Sequence, residues 1–532
     1  MTPGQFKVLI ADPISESGLS VFQGNGRFRI DARSKLSPAE LKKAIADADA
    51  VIVRSETQLT ADILAAGKKI KIAGRAGVGV DNIDVAAASR RGILVVNVPG
   101  GNTISAAEHT LALLLSLARN IPSANNSLKA GEWNRSQFTG TELQGKTLGL
   151  VGLGRIGREV ARRAQSFGMR ILGYDPYASE EYAKAYNIAL RSFEELCQEA
   201  DYISLHVPLN DGTRHLLNAK TLARLKPGVR LINCARGGII DEKALAEAIR
   251  NGAVKGAALD VFEEEPPPKD APLFRLPQVI VTPHLGAATE EAQVKVAQEL
   301  AETIRDYFLQ GTVRNAVNLP AMEADEYREM EPYILLAEKM GKFVSQLMEG
   351  AVKELRIAYA GEICQKNTTP LTLAALKGFL SPILDVEINL INAPHLARER
   401  GLKWKEIKTS QAEDFTSLIS LRADSGKSRL SIAGTLLARN NPRIVTIDDL
   451  TVDIVPEGTM VVLTNADRPG VIGFIGTVLG KNKINIAAMQ VGRKTSGGEA
   501  VTIVNVDSAV PEDVLNQIRD FKGITRVRCV NL

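Results

Sequence analysis

Cysteine, tryptophan and histidine are scarce in this chain of 532 residues: four, two and five respectively. The four cysteines, Cys197, Cys234, Cys364 and Cys529, stand far apart. They form neither a metal-ligand spacing nor a disulfide framework, so no metal site is expected, and a reducing cytoplasm is the expected compartment. Long apolar runs are missing too. The longest, Leu111-Ala112-Leu113-Leu114-Leu115, falls far short of the ~20 residues a membrane span needs. Net charge is slight: 65 Lys+Arg against 61 Asp+Glu give +4, with no long basic run, so nothing marks a nucleic-acid partner. Phe6-Lys7-Val8-Leu9-Ile10 already reads as a strand, so no signal or transit peptide is expected.

What is present is a globular composition, 45% hydrophobic and 24% charged, on a chain too long for one core. Domains of ~100–200 residues predict three or four of them. The stretch from Leu148 to Asp175 organises the rest. An apolar run leads into Gly152-Leu153-Gly154-Arg155-Ile156-Gly157, an Ala/Arg-rich helical pattern follows, and a second apolar run ends on Asp175. That order predicts strand, tight turn, helix and parallel strand. Gly152 permits the turn, Gly154 lets a pyrophosphate approach the helix N-terminus, and Gly157 lets the helix lie close on the strand. Asp175, about 20 residues on, is placed to take ribose hydroxyls and to repel a 2'-phosphate, which favours NAD over NADP.

Short apolar runs alternate with helical patterns from Lys7 to about Val98 (Val8–Ala11, Ala50–Val53, Ile70–Ala73, Ile93–Val96), which predicts a parallel sheet. Arg54 and Arg75 follow two of these strands and therefore face a cleft at their carboxyl ends. The segment Gly101 to Glu108 enters an apolar helix running through Leu117, expected to be buried between two domains. A second α/β unit has strands at Tyr202–Val207, Val229–Asn233, Gly256–Asp260 and Val279–Val281. The helical run Ala287–Gln310 is long enough to return to the first sheet. The composition changes near Asn318-Leu319-Pro320. Helical stretches (Tyr333–Met348, Leu371–Leu380) and strand-like ones (Leu355–Tyr359, Ser417–Arg422, Arg429–Ala433) come next. After Pro456-Glu457-Gly458 the last ~75 residues read β-α-β-β-α-β, a ferredoxin-like order.

Hydride removal from a carbon bearing a hydroxyl needs a proton acceptor working near pH 7. Among the histidines, His284 follows a strand in Thr282-Pro283-His284-Leu285-Gly286, at the same sheet edge as the cofactor turn; His206 also ends a strand. Glu265, in the Pro-rich loop after Gly256–Asp260, is the carboxylate that would fix the tautomer of that histidine and raise its pKa. Arg236, in Asn233-Cys234-Ala235-Arg236-Gly237-Gly238, offers a fork for a substrate carboxylate.

On these motifs, with Ala257-Ala258-Leu259-Asp260-Val261-Phe262 leading to Glu265-Pro266, residues 1 to about 318 resemble the D-isomer-specific 2-hydroxyacid dehydrogenase family. The resemblance implies an α/β fold in which a doubly wound Rossmann domain is inserted in a flavodoxin-like substrate domain. The expected divisions are a substrate-binding domain at 1–98, an NAD-binding domain at 99–287 and a return to the substrate domain at 288–318. It implies Arg236 as anchor, Glu265 as partner of the base and His284 as acid/base. Val78, Gly152, Gly154, Arg155, Ile156, Gly157, Asp175, Val207, Cys234, Asp260, His284 and Gly286 would border NAD. Val78 and Val207 stand where some family members carry threonine, so backbone contacts survive there and hydroxyl contacts do not.

The remainder resembles the family's long branch, with an α+β intervening allosteric substrate-binding domain (319–455) and a ferredoxin-like ACT domain (456–532). That branch implies NAD-dependent oxidation of 3-phosphoglycerate, the entry step to serine synthesis. Arg54, Arg75 and Asn102 match its phosphate and carboxylate pocket, and Arg135 would add a cation, from across a subunit interface if the chain pairs. Asn465, Asp467 and Asn485 match an effector site for serine, although Asn465 and Asp467 depart from the residues that many serine-binding members carry. A homodimer or homotetramer is expected from the ACT domain and the apolar helix. The rivals are a glyoxylate or hydroxypyruvate reductase, which needs no phosphate pocket, and an NAD-sensing binding protein on the same fold.

Overall fold

The computed structural model describes residues 5–23, 26–320, 322, 324–411, 414–438 and 440–532. Burial along the strands follows the hydrophobic pattern and separates two kinds of sheet. In the first half, strands such as Ala50–Val53 and Thr147–Val151 are buried at every residue, as strands covered by helices on both faces must be. In the second half, Ser417–Asp424 buries every other residue, the period of a sheet with one covered face.

The first sheet contains β1 (Phe6–Ile10), β2 (Phe28–Ala32), β3 (Ala50–Val53), β4 (Ile72–Arg75) and β5 (Leu94–Val96). All are parallel, in the order β2-β1-β3-β4-β5, the flavodoxin-like winding. The helix Glu290–Gln310 returns to this sheet, where Val296, Leu300, Ala301 and Ile304 share one core with Val8, Ile10, Ile52 and Ile72.

The second sheet contains β6 (Thr147–Val151), β7 (Arg170–Tyr174), β8 (Ala189–Leu190), β9 (Tyr202–Leu205), β10 (Val229–Asn233), β11 (Val254–Leu259) and β12 (Val279–Val281). Its order is β12-β11-β10-β9-β6-β7-β8, again all parallel. The winding reverses between β6 and β9. The carboxyl end of β6 therefore sits at the switch point, where open α/β sheets bind ligands.

The helix Thr103–Arg119 departs from the expectation of a connector buried between domains. Ile104, Glu108 and Ala112 form an exposed stripe at four-residue spacing, and the buried side joins the core of the second sheet through Leu111, Leu114 and Leu117. Its apolar run serves one sheet, not two domains.

The third sheet contains β13 (Glu354–Gly361), β14 (Lys403–Thr409), β15 (Ser417–Asp424), β16 (Arg429–Leu437), β17 (Asn441–Ile447) and β18 (Leu450–Ile454), in the order β14-β13-β15-β16-β17-β18. The fourth contains β19 (Thr459–Ala466), β20 (Ile486–Arg493), β21 (Glu499–Val506) and β22 (Ile524–Asn531), antiparallel in the order β20-β21-β19-β22. Two helices, Val471–Lys481 and Glu512–Arg519, cover one face of the fourth sheet. Its other face closes on the intervening domain: Met460, Val462, Val501, Ile503 and Val530 belong to the same core as Leu336, Met340 and Leu347 of the helix Ala324–Leu347. Among the described residues no helix is long and apolar enough to cross a membrane.

Candidate active site

The dinucleotide turn is built as its glycines require. Gly152 has φ 97°, and a Cβ there would lie 2.5 Å from the His206 carbonyl oxygen. A Cβ on Gly157 would lie 2.2 Å from the Gly152 carbonyl oxygen, so helix and strand touch backbone to backbone. At Gly154, the N-cap of the helix Arg155–Gln165, a Cβ would meet nothing within 4 Å. That open face at a helix N-terminus fits a pyrophosphate. Asp175, just beyond β7, accepts hydrogen bonds from the Leu153 amide (2.9 Å) and the Tyr177 amide (2.9 Å). It braces the turn and keeps lone pairs free for a ribose.

A cleft of about 430 Å³ opens between the two parallel sheets, lined from the first by Arg75 and Val78, from the second by Ile156, Val207, Cys234, Arg236, His284 and Gly286, and by Asn102 at the N-cap of the helix Thr103–Arg119. Two glycines make room for its two guanidinium groups. A Cβ on Gly77 would sit 1.6 Å from Arg75 Nη1, and one on Gly79 would sit 1.9 Å from Arg236 Nη2. Arg75 Nε and Asn102 Oδ1 are buried without a hydrogen-bond partner, polar atoms that a bound anion or hydroxyl would satisfy. Burial, then the neighbouring Arg236 charge, pulls Arg75 down to about 10, which still leaves it cationic at neutral pH. Arg236 Nε donates to Asp81 Oδ2 at 3.1 Å, a partner that no motif singles out although Asp81 follows a strand of the first sheet.

His284 and Glu265 meet, His284 Nδ1 lying 2.7 Å from Glu265 Oε2. Burial pushes the Glu265 carboxyl up, but the hydrogen bond and charge of His284, the Phe262 amide and Arg236 outweigh it and hold the carboxyl below its usual range. His284 adopts φ 52°, the left-handed region that a side chain seldom enters. Asp260 explains how it is held. This fully buried carboxylate accepts from Thr282 Oγ1 (2.6 Å), Leu285 N (2.7 Å) and Gly286 N (2.8 Å), and His109 Nε2 lies 3.1 Å away. The loop carrying His284 is thus wrapped around one buried charge. His109 comes from the helix Thr103–Arg119, and no spacing in the sequence links it to Asp260.

Arg54 and Arg135 lie apart from the cleft. Arg54 follows β3, donates its backbone amide to the buried Asp12, and lines a small adjoining niche with Gly77 and Ala287. Arg135 stands exposed in the short turn Arg135–Phe138 and does not line the cleft. His206 lines the cleft, but burial pushes it down to about 4, and its ring lies 3.0 Å from Ser204 Oγ. Burial likewise raises Cys234 to about 12, so it stays a thiol. In the ACT domain, Asn465 Oδ1 accepts from Thr502 (2.8 Å), Asp467 pairs with Arg493 (2.5 Å), and Asn485 donates to Asp507 (2.6 Å).

A dinucleotide turn at the switch point of one sheet, with Arg236 and a carboxylate-backed histidine at strand ends of that same sheet and Arg75 across the cleft, defines an NAD-linked dehydrogenase of 2-hydroxy acids. The family model for the D-isomer specific 2-hydroxyacid dehydrogenase NAD-binding domain matches residues 111–286, that for the D-3-phosphoglycerate dehydrogenase intervening domain matches 329–448, and the ACT domain matches 459–523. The chain is 46% identical over 527 residues to D-3-phosphoglycerate dehydrogenase of Methanocaldococcus jannaschii, covering 99% of this chain and 100% of that protein. It is 44% identical to the Bacillus subtilis enzyme of that name, with the same two coverages. Among solved structures, the TT0316 protein of Thermus thermophilus aligns with a TM-score of 0.54 at 36% identity, over 59% of this chain and 100% of that one. The chain belongs to the D-3-phosphoglycerate dehydrogenase family.

Proposed function

We propose that this chain oxidises D-3-phosphoglycerate to 3-phosphooxypyruvate with NAD, the first step of the phosphorylated route to serine. The observation that carries the reading is the juxtaposition of Arg75 and Arg236 in one cleft with the Glu265–His284 pair. Arg236 grips the substrate carboxylate, and Arg75, with Asn102 and with Arg54 behind, answers the phosphate. Glu265 fixes Nδ1 of His284, so Nε2 is the atom that takes the C2 hydroxyl proton, and in the reverse direction gives it back. Nicotinamide supplies the hydride acceptor. Gly152, Gly154, Arg155, Ile156 and Gly157 would hold its pyrophosphate, and Asp175 its adenosine ribose. Purified enzyme given NAD should produce NADH from D-3-phosphoglycerate well ahead of glycerate, lactate or glycolate. Comparable rates on unphosphorylated acids would favour the reductase reading, and no NADH from any acid would favour a sensor.

Asp175 makes NAD the preferred cofactor by charge. Asp175→Ala should weaken NAD and narrow its advantage over NADP, read as the ratio of kcat/KM values. A wild-type enzyme using both equally well would remove this role from Asp175.

The chain works as a homodimer or homotetramer in the cytoplasm, and serine is the effector that fits the ACT domain. Serine at Asn465, Asp467 and Asn485 must displace the internal bonds these side chains make, which predicts modest affinity. Inhibition requires a coupling of ~1–3 kcal/mol between sites. Serine titration of the full chain should lower turnover, and Asn485→Ala should move the midpoint to higher serine. Indifference to serine in the assembled enzyme would leave the domain a dimerising role only.

A further inference from the structure

Behind the cleft, acidic side chains that the reaction scheme leaves unused tie two strand-end loops together, and a third loop is joined to them through its backbone. The helix Glu242–Arg250 begins just after the Arg236 loop, and its N-cap Asp241 accepts from the Ala244 amide at 3.0 Å. Another amide of that first turn, Glu242 N, donates to Glu263 Oε1 (3.2 Å), a carboxylate from the loop after β11. Glu263 N donates back to Glu242 Oε1 (2.6 Å). Side chain and backbone are exchanged as in a capping box, but between two separate loops instead of within one helix.

Backbone contact at the same place is independent of those carboxylates. A Cβ on Gly237 would lie 1.7 Å from the Phe262 carbonyl oxygen, so the Arg236 loop rests directly on the loop that carries Glu265. The loop after β9 joins them: His215 N donates to the Gly238 carbonyl (2.8 Å), and His215 Nε2 lies 3.2 Å from Glu263 Oε1. Two residues beyond Glu263, Glu265 accepts from Phe262 N (3.2 Å) and meets His284.

We propose that Glu242 and Glu263 are positioning residues: their crossed hydrogen bonds hold the loop 261–265 against the Arg236 loop and so set where Glu265 meets His284. The inference rests on the reading of His284 as proton acceptor and Glu265 as its partner. Two adjacent carboxylates repel, so this pair is a poor device for stability alone. Burial raises the Glu242 carboxyl, the Glu263 amide opposes it, and the charges of Glu263, Asp241 and Glu265 raise it further. The groups facing the pair are Asp241 on the helix, Glu265 on the loop and His215 on the third strand end, with Arg214 beside the same Gly238 turn. The geometric leverage is large, because a shift of ~1 Å in a catalytic group can cost ~10²-fold in rate.

The test compares Glu242→Ala, Glu242→Gln and Glu263→Ala in the full chain, by kcat and KM across pH and by calorimetric NAD affinity. Glu242→Ala and Glu263→Ala should each lower kcat about tenfold. Each should also shift the acid limb of the oxidation profile to lower pH, with NAD affinity nearly unchanged. Glu242→Gln should recover most of the rate, since its Oε1 still accepts from the Glu263 amide. In a His284→Ala background Glu242→Ala should add nothing. Either alanine variant, folded, with normal kcat and pH profile overturns the proposal, and if Glu242→Ala does not fold, Glu263→Ala decides. An equal further loss in the His284→Ala background also overturns it, because the effect would not run through His284. Near-normal turnover in His284→Ala itself would instead remove the base on which the inference rests.

Discussion

His284→Ala is expected to lose about 10²- to 10⁴-fold in turnover, the usual worth of a general acid–base group, while binding NAD nearly as well as the wild type. The two effects separate because the loop does not depend on the imidazole. Its course is set by Asp260, which takes the amides of Leu285 and Gly286, and by the His284 amide, which donates to the Asp260 carbonyl at 2.9 Å. Alanine leaves those bonds in place, so the loss is chemical. Glu265→Gln should cost less and move the acid limb of the oxidation profile to lower pH, because the imidazolium loses its charged partner. Turnover of His284→Ala within tenfold of wild type would send the proton elsewhere. His206 is then a poor heir, since burial has pushed it down to about 4.

Arg75→Ala is expected to raise KM for D-3-phosphoglycerate by roughly 10–100-fold, the equivalent of one charge-assisted hydrogen bond worth ~1.5–3 kcal/mol, and to harm an unphosphorylated acid much less. Its Nε is buried without a partner, and the Arg236 charge beside it is repulsive, so removing the guanidinium does not break an internal ion pair. The melting temperature should therefore hold. Arg75→Lys should recover little, since a point charge lacks the planar fork. Arg54→Ala should act in the same direction more weakly, because Arg54 reaches only the adjoining niche. Equal losses on both substrates would assign Arg75 to the carboxylate and strengthen the reductase reading.

The parallel sheets were legible because strands buried on both faces read as unbroken apolar runs, and the cofactor turn because its glycines have spacing with steric meaning. The third sheet was only half legible. Lys403–Thr409 sets Trp404 and Ile407 three residues apart among charged neighbours on an exposed edge, and Asn441–Ile447 contains Pro442, so neither looks like a strand until its neighbours are in place. Phe28–Ala32, with Arg29 and Asp31 within it, was missed for a similar reason. Within the site, strand-end residues such as Arg75, Arg236 and His284 could be found from position alone. Asp81, His109 and the Glu242–Glu263 exchange could not, because their partners are 155, 151 and 21 residues away in sequence.

The core shared by the intervening and ACT domains bears on how a regulatory signal can travel. The joint at Pro456-Glu457-Gly458 divides the chain but not the packing: deleting the ACT domain would strip Leu336, Met340 and Leu347 of their cover, at ~1.5–3 kcal/mol for each large side chain exposed. The intervening and ACT domains are in effect one packed body, not two beads on a string. It touches the catalytic half through the loop that places Asn389 against the Gly92 carbonyl (2.7 Å) and Ile391 in the first sheet's core. The joint between the two halves therefore lies at the amino end of the edge strand β5, in the first sheet, and not at the nucleotide turn.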